Sequence, residues 1–222
     1  MTDSTADRSE LVPKHLARIK APIRYAIEPW EIEAARRIRR DVFVVEQNLF
    51  EVHDRDAIDE EALLIIATCK PKVHQPSDSS SQRSRVTGTV RIHFDAEFGC
   101  WFGSRLAVLA DSRGSARTAS SLIRKAVATA CVIGCRDFRA RIQPKNLRLF
   151  QRLGWHLLGA IEHVGQPHLL MQAELERFQP SELLTAIEIQ WARFLGCQRG
   201  WANTHFDEVE RGVPFVSSGP SA

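Results

Sequence analysis

One segment of the 222-residue chain, residues 100–142, constrains the fold more than any other. It starts with a strand pattern from about Cys100 to Leu109, and a polar turn that contains Gly114 follows. Apolar side chains then recur at helical spacing, at Ala119, Leu122, Ile123, Ala126, Val127 and Ala130. Charged residues alternate with apolar ones over 138–142, which predicts another strand. Strand, turn, helix and strand in this order favour an α/β fold.

The remaining elements extend this pattern on both sides. The predicted strands are 23–27, 63–67, 86–94, 155–161 and 168–174, and the predicted helices are 30 to about 45 and 144–152. Gly165-Gln166-Pro167 is the predicted turn between the last two strands. The resulting order, β-α-β-β-β-α-β-α-β-β, indicates an α/β fold with a mixed sheet.

Composition along the chain predicts one main domain with appendages. We expect a flexible N-terminus over 1–20, a domain over 21–176 with a mobile loop at 70–85, and a helical C-terminal extension and tail over 177–222. The extension has one apolar stripe, formed by Leu184, Ile187, Trp191, Phe194 and Leu195. This stripe either packs onto its own domain or forms a homodimer contact.

Charge and cysteine usage exclude several classes of protein. The 30 Lys and Arg residues nearly balance the 27 Asp and Glu residues, so charge predicts no nucleic-acid binding. The five cysteines are irregularly spaced and are interpreted as reduced thiols, with no metal site. No apolar run is long enough for a membrane span, and residues 1–10 lack the apolar stretch of a signal peptide. We therefore expect a cytoplasmic protein with no membrane or nucleic-acid partner.

The turn from Arg113 to Thr118 has the features of an anion site. The first turn of a helix has free N–H groups and a partial positive charge, so backbone alone can hold a phosphate there. Gly114 and Ala116 keep the backbone approachable, and Arg113 and Arg117 add charge. The turn lacks the Lys-Ser/Thr pair of a Walker loop and the full G-x-G-x-x-G of a dinucleotide site. By itself it also fits an ordinary strand-to-helix connection.

Three segments resemble motifs of the Gcn5-related N-acetyltransferase (GNAT) superfamily. Residues 105–118 resemble its acetyl-CoA motif, and residues 146–155 resemble its second motif. Residues 39–47, followed by the acidic stretch 56–62, look like the start of one bacterial branch. The resemblance covers about 22–175. The whole arrangement is similar to the nitrogen-starvation-type N-acetyltransferases found beside a nitrilase in bacterial gene clusters.

The resemblance implies a fold, a reaction and a set of binding residues. The sheet would be mixed and mostly antiparallel, flanked by helices. The reaction would be direct attack of a small-molecule amine on acetyl-CoA, without a covalent enzyme intermediate. Ala107 and Val108 would pair through their backbone with the pantetheine arm and the acyl carbonyl, and Asn146 would contact the same arm. The pyrophosphate would be held by Arg113, Gly114, Ser115, Ala116, Arg117 and Thr118.

The sequence departs from the superfamily pattern in its loop and in its acid and base. The Gly-x-Gly/Ala of the loop fits Gly114-Ser115-Ala116 in one register, but in another it falls on Arg117-Thr118-Ala119, where the first glycine is missing. The usual tyrosine acid is Phe150, and no base stands at 102–104. The candidate bases are Glu46, then His93, and also Asp59. Each also fits a structural role, as a helix-end carboxylate, a strand histidine or a turn residue respectively.

Two functional alternatives and one charged face stay open. Arg139 and Arg141 share a strand face with Asp137, which fits either a solvated, carboxylate-paired face or a contact with an acidic acceptor or the CoA phosphates. An acyl-homoserine-lactone synthase has a similar Arg-x-x-Val-Phe start with spaced acidic residues. This pattern is met loosely by Arg39, Val42, Phe43, Asp56 and Asp59. A non-catalytic acyl-CoA-binding sensor is the non-enzyme alternative.

Overall fold

A computed structural model describes residues 22–69, 84–114 and 117–201. The strands are β1 (Ile23–Tyr25), β2 (Leu63–Cys69), β3 (Arg85–Asp95), β4 (Cys100–Val108), β5 (Phe138–Ile142), β6 (Trp155–His163) and β7 (Gln166–Ala173). The helices are α1 (Pro29–Arg39), α2 (Arg117–Val132), α3 (Leu147–Arg152), α4 (Pro180–Leu183) and α5 (Ala186–Gln198). The predicted order of elements from β1 to β7 is confirmed. The predicted flexible N-terminus, most of the 70–85 loop, Ser115, Ala116 and the tail from 202 lie outside the described residues.

The strands form one sheet in the order β1-β2-β3-β4-β5-β7-β6. Every neighbouring pair is antiparallel except β4 and β5, which run parallel because α2 carries the chain back between them. Apolar residues on one sheet face, such as Ile92, Trp101 and Phe138, pack with Leu122 and Val127 of α2. The predicted fold class is therefore confirmed as a mixed α/β fold whose mostly antiparallel sheet is flanked by helices.

The parallel strands β4 and β5 separate soon after they meet. They pair only over Trp101–Gly103 and Phe138–Ala140. Beyond this point, the register between β3 and β4 shifts, and Arg105 adopts a left-handed backbone with φ of 54°. Such a β-bulge bends the strand that contains it. A wedge-shaped gap therefore opens in the centre of the sheet.

The strained residue of this bulge is held by carboxylates from a distant loop. The Arg105 guanidinium donates to the Asp54 carbonyl oxygen at 2.8 Å and pairs with the Asp56 carboxylate at 2.9 Å. A left-handed conformation costs a residue other than glycine roughly 1–2 kcal/mol. These charged contacts offset that cost and keep the gap open.

The first helix extends into a π-helical turn that borders the gap. Its first turn is fixed by a capping box between Glu28 and Glu31, and Pro29 occupies the first helical position. The π-helical turn spans Arg40–Glu46, in agreement with the predicted helix end near Val45. Val42 and Phe43 are buried, and they join a second core cluster with Ile38 of α1, Ile66 of β2 and Ala107 of β4.

The C-terminal helix α5 packs onto the main core. Trp191 and Leu195 are buried, and the Trp191 ring lies 4.6 Å from the Tyr25 ring. Ile187 and Phe194, the other predicted members of the α5 stripe, are exposed. Packing onto the same domain, one of the two predicted alternatives, therefore accounts for the buried part of the stripe. None of the described helices is long and apolar enough to cross a membrane.

The turn before β7 differs from the prediction. The chain reverses at Val164 and Gly165, both with positive φ, whereas Gln166 and Pro167 already pair with β6. Positive φ at both central residues gives a two-residue turn whose twist matches that of the flanking strands. Gly165 was correctly predicted as a turn residue. Val164 was not predicted, because valine is not a residue type that indicates a turn.

Candidate functional site

The gap between β4 and β5 forms a cavity with a volume of about 310 Å³. One strand wall is 103–108 of β4, and the other comes from the end of β5, with Phe138, Ala140, Arg141, Ile142 and the following Gln143. Its other walls come from three places. These are α2 with Ala119 and Ile123, the π-helical turn and the loop after it with Val42, Phe43, Leu49 and Phe50, and α3 and the residue before it with Phe150 and Asn146. Most of these side chains are apolar, so the cavity fits an extended ligand with few charges along its middle.

Beyond Gly103, one edge of β4 no longer pairs with β5 and faces this cavity. The Leu109 N–H donates to the Thr87 carbonyl oxygen at 2.9 Å, so Leu109 directs its backbone groups toward β3. Because these directions alternate along a strand, Ala107 also points toward β3, and Val108 points toward the gap. The Val108 carbonyl accepts from Arg113 Nε at 2.7 Å on that side. Of the two residues predicted to pair with a pantetheine arm, Val108 is the one whose backbone faces the cavity.

The predicted phosphate turn leads directly into α2 at the mouth of the cavity. The helix begins at Arg117, so Gly114-Ser115-Ala116 immediately precedes its free N–H groups. Gly114 is exposed, and no other heavy atom lies within 4 Å of the position that a Cβ would take there. Arg113 and Asn146 line the cavity itself.

Glu46 lies at the end of the π-helical turn and pairs with Arg113. The two guanidinium nitrogens donate to its carboxylate oxygens at 2.6 and 2.7 Å. Both side chains are partly exposed. These hydrogen bonds hold the pKa of Glu46 below its ordinary value. The pair links the π-helical turn to the phosphate turn across the cavity mouth.

His93 of β3 lines the cavity and is buried, with 6% of its surface exposed. Its Nδ1 atom has no hydrogen-bond partner among the described residues. Its ring stacks on Phe102, with 6.0 Å between ring centres. Burial, with the nearby charge of Arg91, lowers the pKa of His93 to about 4. The imidazole is therefore neutral at physiological pH and carries a free lone pair.

Asp59 is buried in a cluster of six charged residues, four of which are buried, and does not line the cavity. The cluster contains Arg39, Arg91 and Arg105 with Asp54, Asp56 and Asp59. Arg39 donates to both Asp59 oxygens, at 2.6 and 2.8 Å. Burial alone raises the pKa of Asp59, but the hydrogen bonds and charge of Arg39, with Arg91, outweigh it and hold this pKa well below the ordinary value. The cluster fastens the 54–59 loop to the end of α1 and to the bulge.

Two aromatic residues close the inner end of the cavity. Phe150, which stands where the superfamily has its tyrosine, is buried and offers no proton. The ring of Trp155 lies 4.9 Å from it, and the buried Trp155 indole nitrogen has no partner within the described part of the chain. Sequence reasoning assigned Trp155 no role, although it ends the second motif.

The two arginines of β5 have different environments. Arg139 pairs with Asp137 at 2.6 Å, as one sequence interpretation expects. Arg141 lines the cavity, and its guanidinium carbon lies 4.3 Å from the centre of the Phe102 ring. No group of three or more His, Cys, Asp or Glu side chains that could hold a metal ion occurs within residues 22–69, 84–114 and 117–201.

Comparisons with known proteins give the fold. No protein-family model matches the sequence, and no curated protein matches it. A solved structure of a Lactobacillus plantarum protein proposed to be an N-acetyltransferase matches with a TM-score of 0.56 at 19% identity, over 69% of this chain and 97% of the other. A CoA-dependent acyl-homoserine lactone synthase matches with a TM-score of 0.50 at 18% identity, over 75% and 93%.

A third structure carries the superfamily name. A GNAT superfamily phosphinothricin acetyltransferase from Sinorhizobium meliloti, in complex with acetyl-CoA, matches with a TM-score of 0.50 at 17% identity, over 68% of this chain and 85% of the other. Its strand and helix arrangement agrees with the seven-stranded sheet and the flanking helices described above. The chain therefore has the fold of the Gcn5-related N-acetyltransferases.

Proposed function

We propose that the protein is an acyl-CoA-dependent N-acyltransferase that transfers an acetyl group from acetyl-CoA to the amine of a small molecule. The observation that carries this proposal is the gap between β4 and β5. The strands pair over three residues only, and the backbone of Val108, which no longer pairs with β5, then faces a cavity beneath the start of α2. The nitrogen-starvation-type N-acetyltransferases are the branch whose motifs the sequence resembles.

The walls of the gap suit the parts of an acyl-CoA molecule. The amides of the pantetheine arm find backbone partners at Val108 and a side-chain amide at Asn146. The pyrophosphate finds the free N–H groups at the start of α2, with Arg113 and the turn residues before it. The cavity lining includes Arg105, Arg113, Arg141 and Lys145 but, within the described residues, no aspartate or glutamate. Arg105 and Arg113 are paired with carboxylates just outside the lining, so Arg141 and Lys145 are the cations that favour an anionic ligand.

His93 is the base that the geometry supports best. Its neutral imidazole lies in the cavity, so it can accept a hydrogen bond from the amine and take up a proton as the bond to the acyl carbon forms. Glu46, the other leading candidate from sequence, is held by Arg113 at the mouth. Asp59 is held by Arg39 and Arg91. We assign Glu46 and Asp59 to positioning the phosphate turn and the bulge.

The thiolate that leaves needs a hydrogen-bond donor other than a tyrosine. Phe150 has no such group, whereas the Trp155 indole N–H is buried in the cavity wall and has no acceptor among the described residues. An N–H donor stabilises developing negative charge in a site that excludes water. We assign this supporting role to Trp155, with the final proton coming from solvent.

The test combines binding and turnover. Calorimetry with acetyl-CoA, followed by a thiol-release assay across amines, is expected to show binding and then release of CoA. Gly114→Glu is expected to abolish binding, because a carboxylate at this open position repels the pyrophosphate. Gly159→Glu is the matched control, since it adds the same charge at an open glycine on β6. Unchanged affinity in the folded Gly114→Glu variant would contradict the proposal.

A second candidate is supported by the charged cluster. Arg39, Asp56 and Asp59, which match the acyl-homoserine-lactone-synthase pattern, come together in one network with Arg91. The synthase of similar fold was solved with S-adenosylmethionine and an acyl-CoA. Thiol release with S-adenosylmethionine as acceptor, and a lactone product by mass spectrometry, would favour this candidate. Binding of acetyl-CoA without release on any amine would favour the sensor.

A further inference from the structure

Arg141 is a cavity cation for which the described residues supply no carboxylate. Its neighbours are neutralised: Arg105 pairs with Asp54 and Asp56, and Arg113 pairs with Glu46. An arginine that lines a mostly apolar cavity and has no counter-charge among the described residues is a candidate anion site. An anion that enters from solvent is the natural partner for such a group.

The Phe102 ring holds this cation in place. The guanidinium carbon of Arg141 lies 4.3 Å from the centre of the Phe102 ring and 5.9 Å from that of Phe98. Stacking uses the face of the planar guanidinium and leaves its N–H groups available at the edge. A carboxylate matches this edge with two parallel hydrogen bonds.

The proposed base lies on the other side of the same ring. His93 pairs with Phe102 across β3 and β4, and the two rings stack 6.0 Å apart. Phe102 pairs with Arg139 across β4 and β5, so Arg141, two residues further along, shares that sheet face. Because a single ring separates His93 from Arg141, one substrate can contact both only if its amine and carboxylate are a few bonds apart.

The rest of the cavity excludes cationic acceptors and accommodates an apolar side chain. No acidic residue among those described lines it, so a polyamine would have no counterion. The wall formed by the π-helical turn and its following loop is mostly apolar, with Phe43, Leu49 and Phe50 beside Gln47. An acceptor with one amine, one carboxylate and an apolar side chain matches these three surfaces.

We propose that the acceptor is an amino acid whose carboxylate is bound by Arg141 and whose amine faces His93. This inference rests on the proposed acyltransferase function and names its substrate class. The amine nitrogen bonds to the acyl carbon, the carbon–sulfur bond breaks, and CoA leaves as a thiol after protonation. The amine proton passes to His93 and then to solvent. The product is an N-acyl amino acid.

The test compares three aromatic amines that differ only in the carboxylate, and adds one polyamine. Thiol release is measured with phenylalanine, phenylalaninamide and phenethylamine, and with spermidine as a cationic amine. Phenylalanine is expected to exceed the other three by about 100-fold in kcat/KM, since the lost group leaves a charged donor unpaired. Arg141→Gln is expected to lower kcat/KM about 100-fold for phenylalanine and to change that for phenethylamine less than threefold. Arg139→Gln, which removes an arginine outside the cavity on the same strand, serves as control and should leave all rates unchanged.

Two results would overturn the inference in different ways. Equal rates with phenylalanine and phenethylamine, or equal losses for both in Arg141→Gln, would remove the amino-acid acceptor and leave the acyltransferase standing. The absence of acetyl-CoA binding in calorimetry would remove both. Retained acetyl-CoA affinity in Arg141→Gln is expected, because this residue is assigned to the acceptor.

Discussion

At the scale of single residues, the basic side chains of the cavity are of two kinds, those with a carboxylate partner and those without one among the described residues. Arg113 and Arg105 have carboxylate partners and hold the mouth and the bulge, whereas Arg141 and His93 face the interior without such partners in the described chain. Burial keeps His93 neutral, so its lone pair is available where an amine would enter. The chemistry that we assign to the site depends on this neutral imidazole.

Replacing His93 tests that assignment. His93→Gln is expected to lower kcat about 100-fold, within the usual range for a general base, and to leave acetyl-CoA affinity unchanged. The measurement is thiol release at saturating acceptor, with calorimetry on the same samples. A variant as active as the native protein would show that His93 takes no part in proton transfer.

The lowered pKa of His93 also predicts how stability depends on pH. The unfolded chain takes up this proton near pH 6.5 and the folded protein only near pH 4, so the unfolded state binds more protons between these values. The free energy of unfolding should therefore fall by about 3 kcal/mol as pH drops from 6.5 to 4 on account of this group. Urea unfolding at several pH values should show a shallower fall in His93→Gln than in the native protein or in His156→Gln, which alters an exposed histidine. Equal slopes in all three would contradict it.

At the scale of elements, the bulge in β4 creates the site. The strand itself was predicted from the sequence pattern of residues 100–109. The left-handed Arg105 carries no local signal, since it is fixed by Asp54 and Asp56 about fifty residues upstream. The wedge could therefore not be predicted from the pattern of residues 100–109. Arg139 forms an ion pair with Asp137, whereas Arg141 has no carboxylate partner among the described residues. This difference likewise depends on contacts that only the folded chain forms.

A comparison of glycine and alanine at Arg105 tests the bulge. Both substitutions remove the ion pairs, but glycine tolerates the positive φ, so Arg105→Gly should be more stable than Arg105→Ala by about 1 kcal/mol. At the neighbouring Ser104, whose φ is not positive, the order should reverse. Urea unfolding of the four variants is the measurement. The same order at both positions would show that the bulge does not have the left-handed conformation.

At the scale of the whole molecule, the C-terminal helix completes the core around α2. Lys125 of α2 and Glu188 of α5 form a buried ion pair at 2.5 Å, and Trp191 packs on Tyr25. Sequence predicted the α5 stripe but left its partner open, because a helical pattern does not identify the surface that it contacts. Glu188 also forms a capping box with Thr185 at the start of α5. The same side chain therefore takes part in a local helix cap and in the long-range ion pair with Lys125.

The buried pair gives a prediction about the integrity of the fold. Glu188→Gln keeps the capping geometry but leaves Lys125 buried without a counter-charge, so it should cost about 3–5 kcal/mol of unfolding free energy. Adding Lys125→Met should restore more than half of that loss, because no unpaired charge remains. Urea unfolding of the two variants is the check. A double variant no more stable than Glu188→Gln would mean that the pair is not buried between α2 and α5.

The most direct test of the account is a crystal structure of the protein with CoA bound. The pantetheine arm is expected to lie in the gap between β4 and β5, hydrogen-bonded to the main chain of Val108, with the pyrophosphate on the turn before α2. CoA bound elsewhere on the surface, or a gap filled by the protein's own side chains, would contradict it.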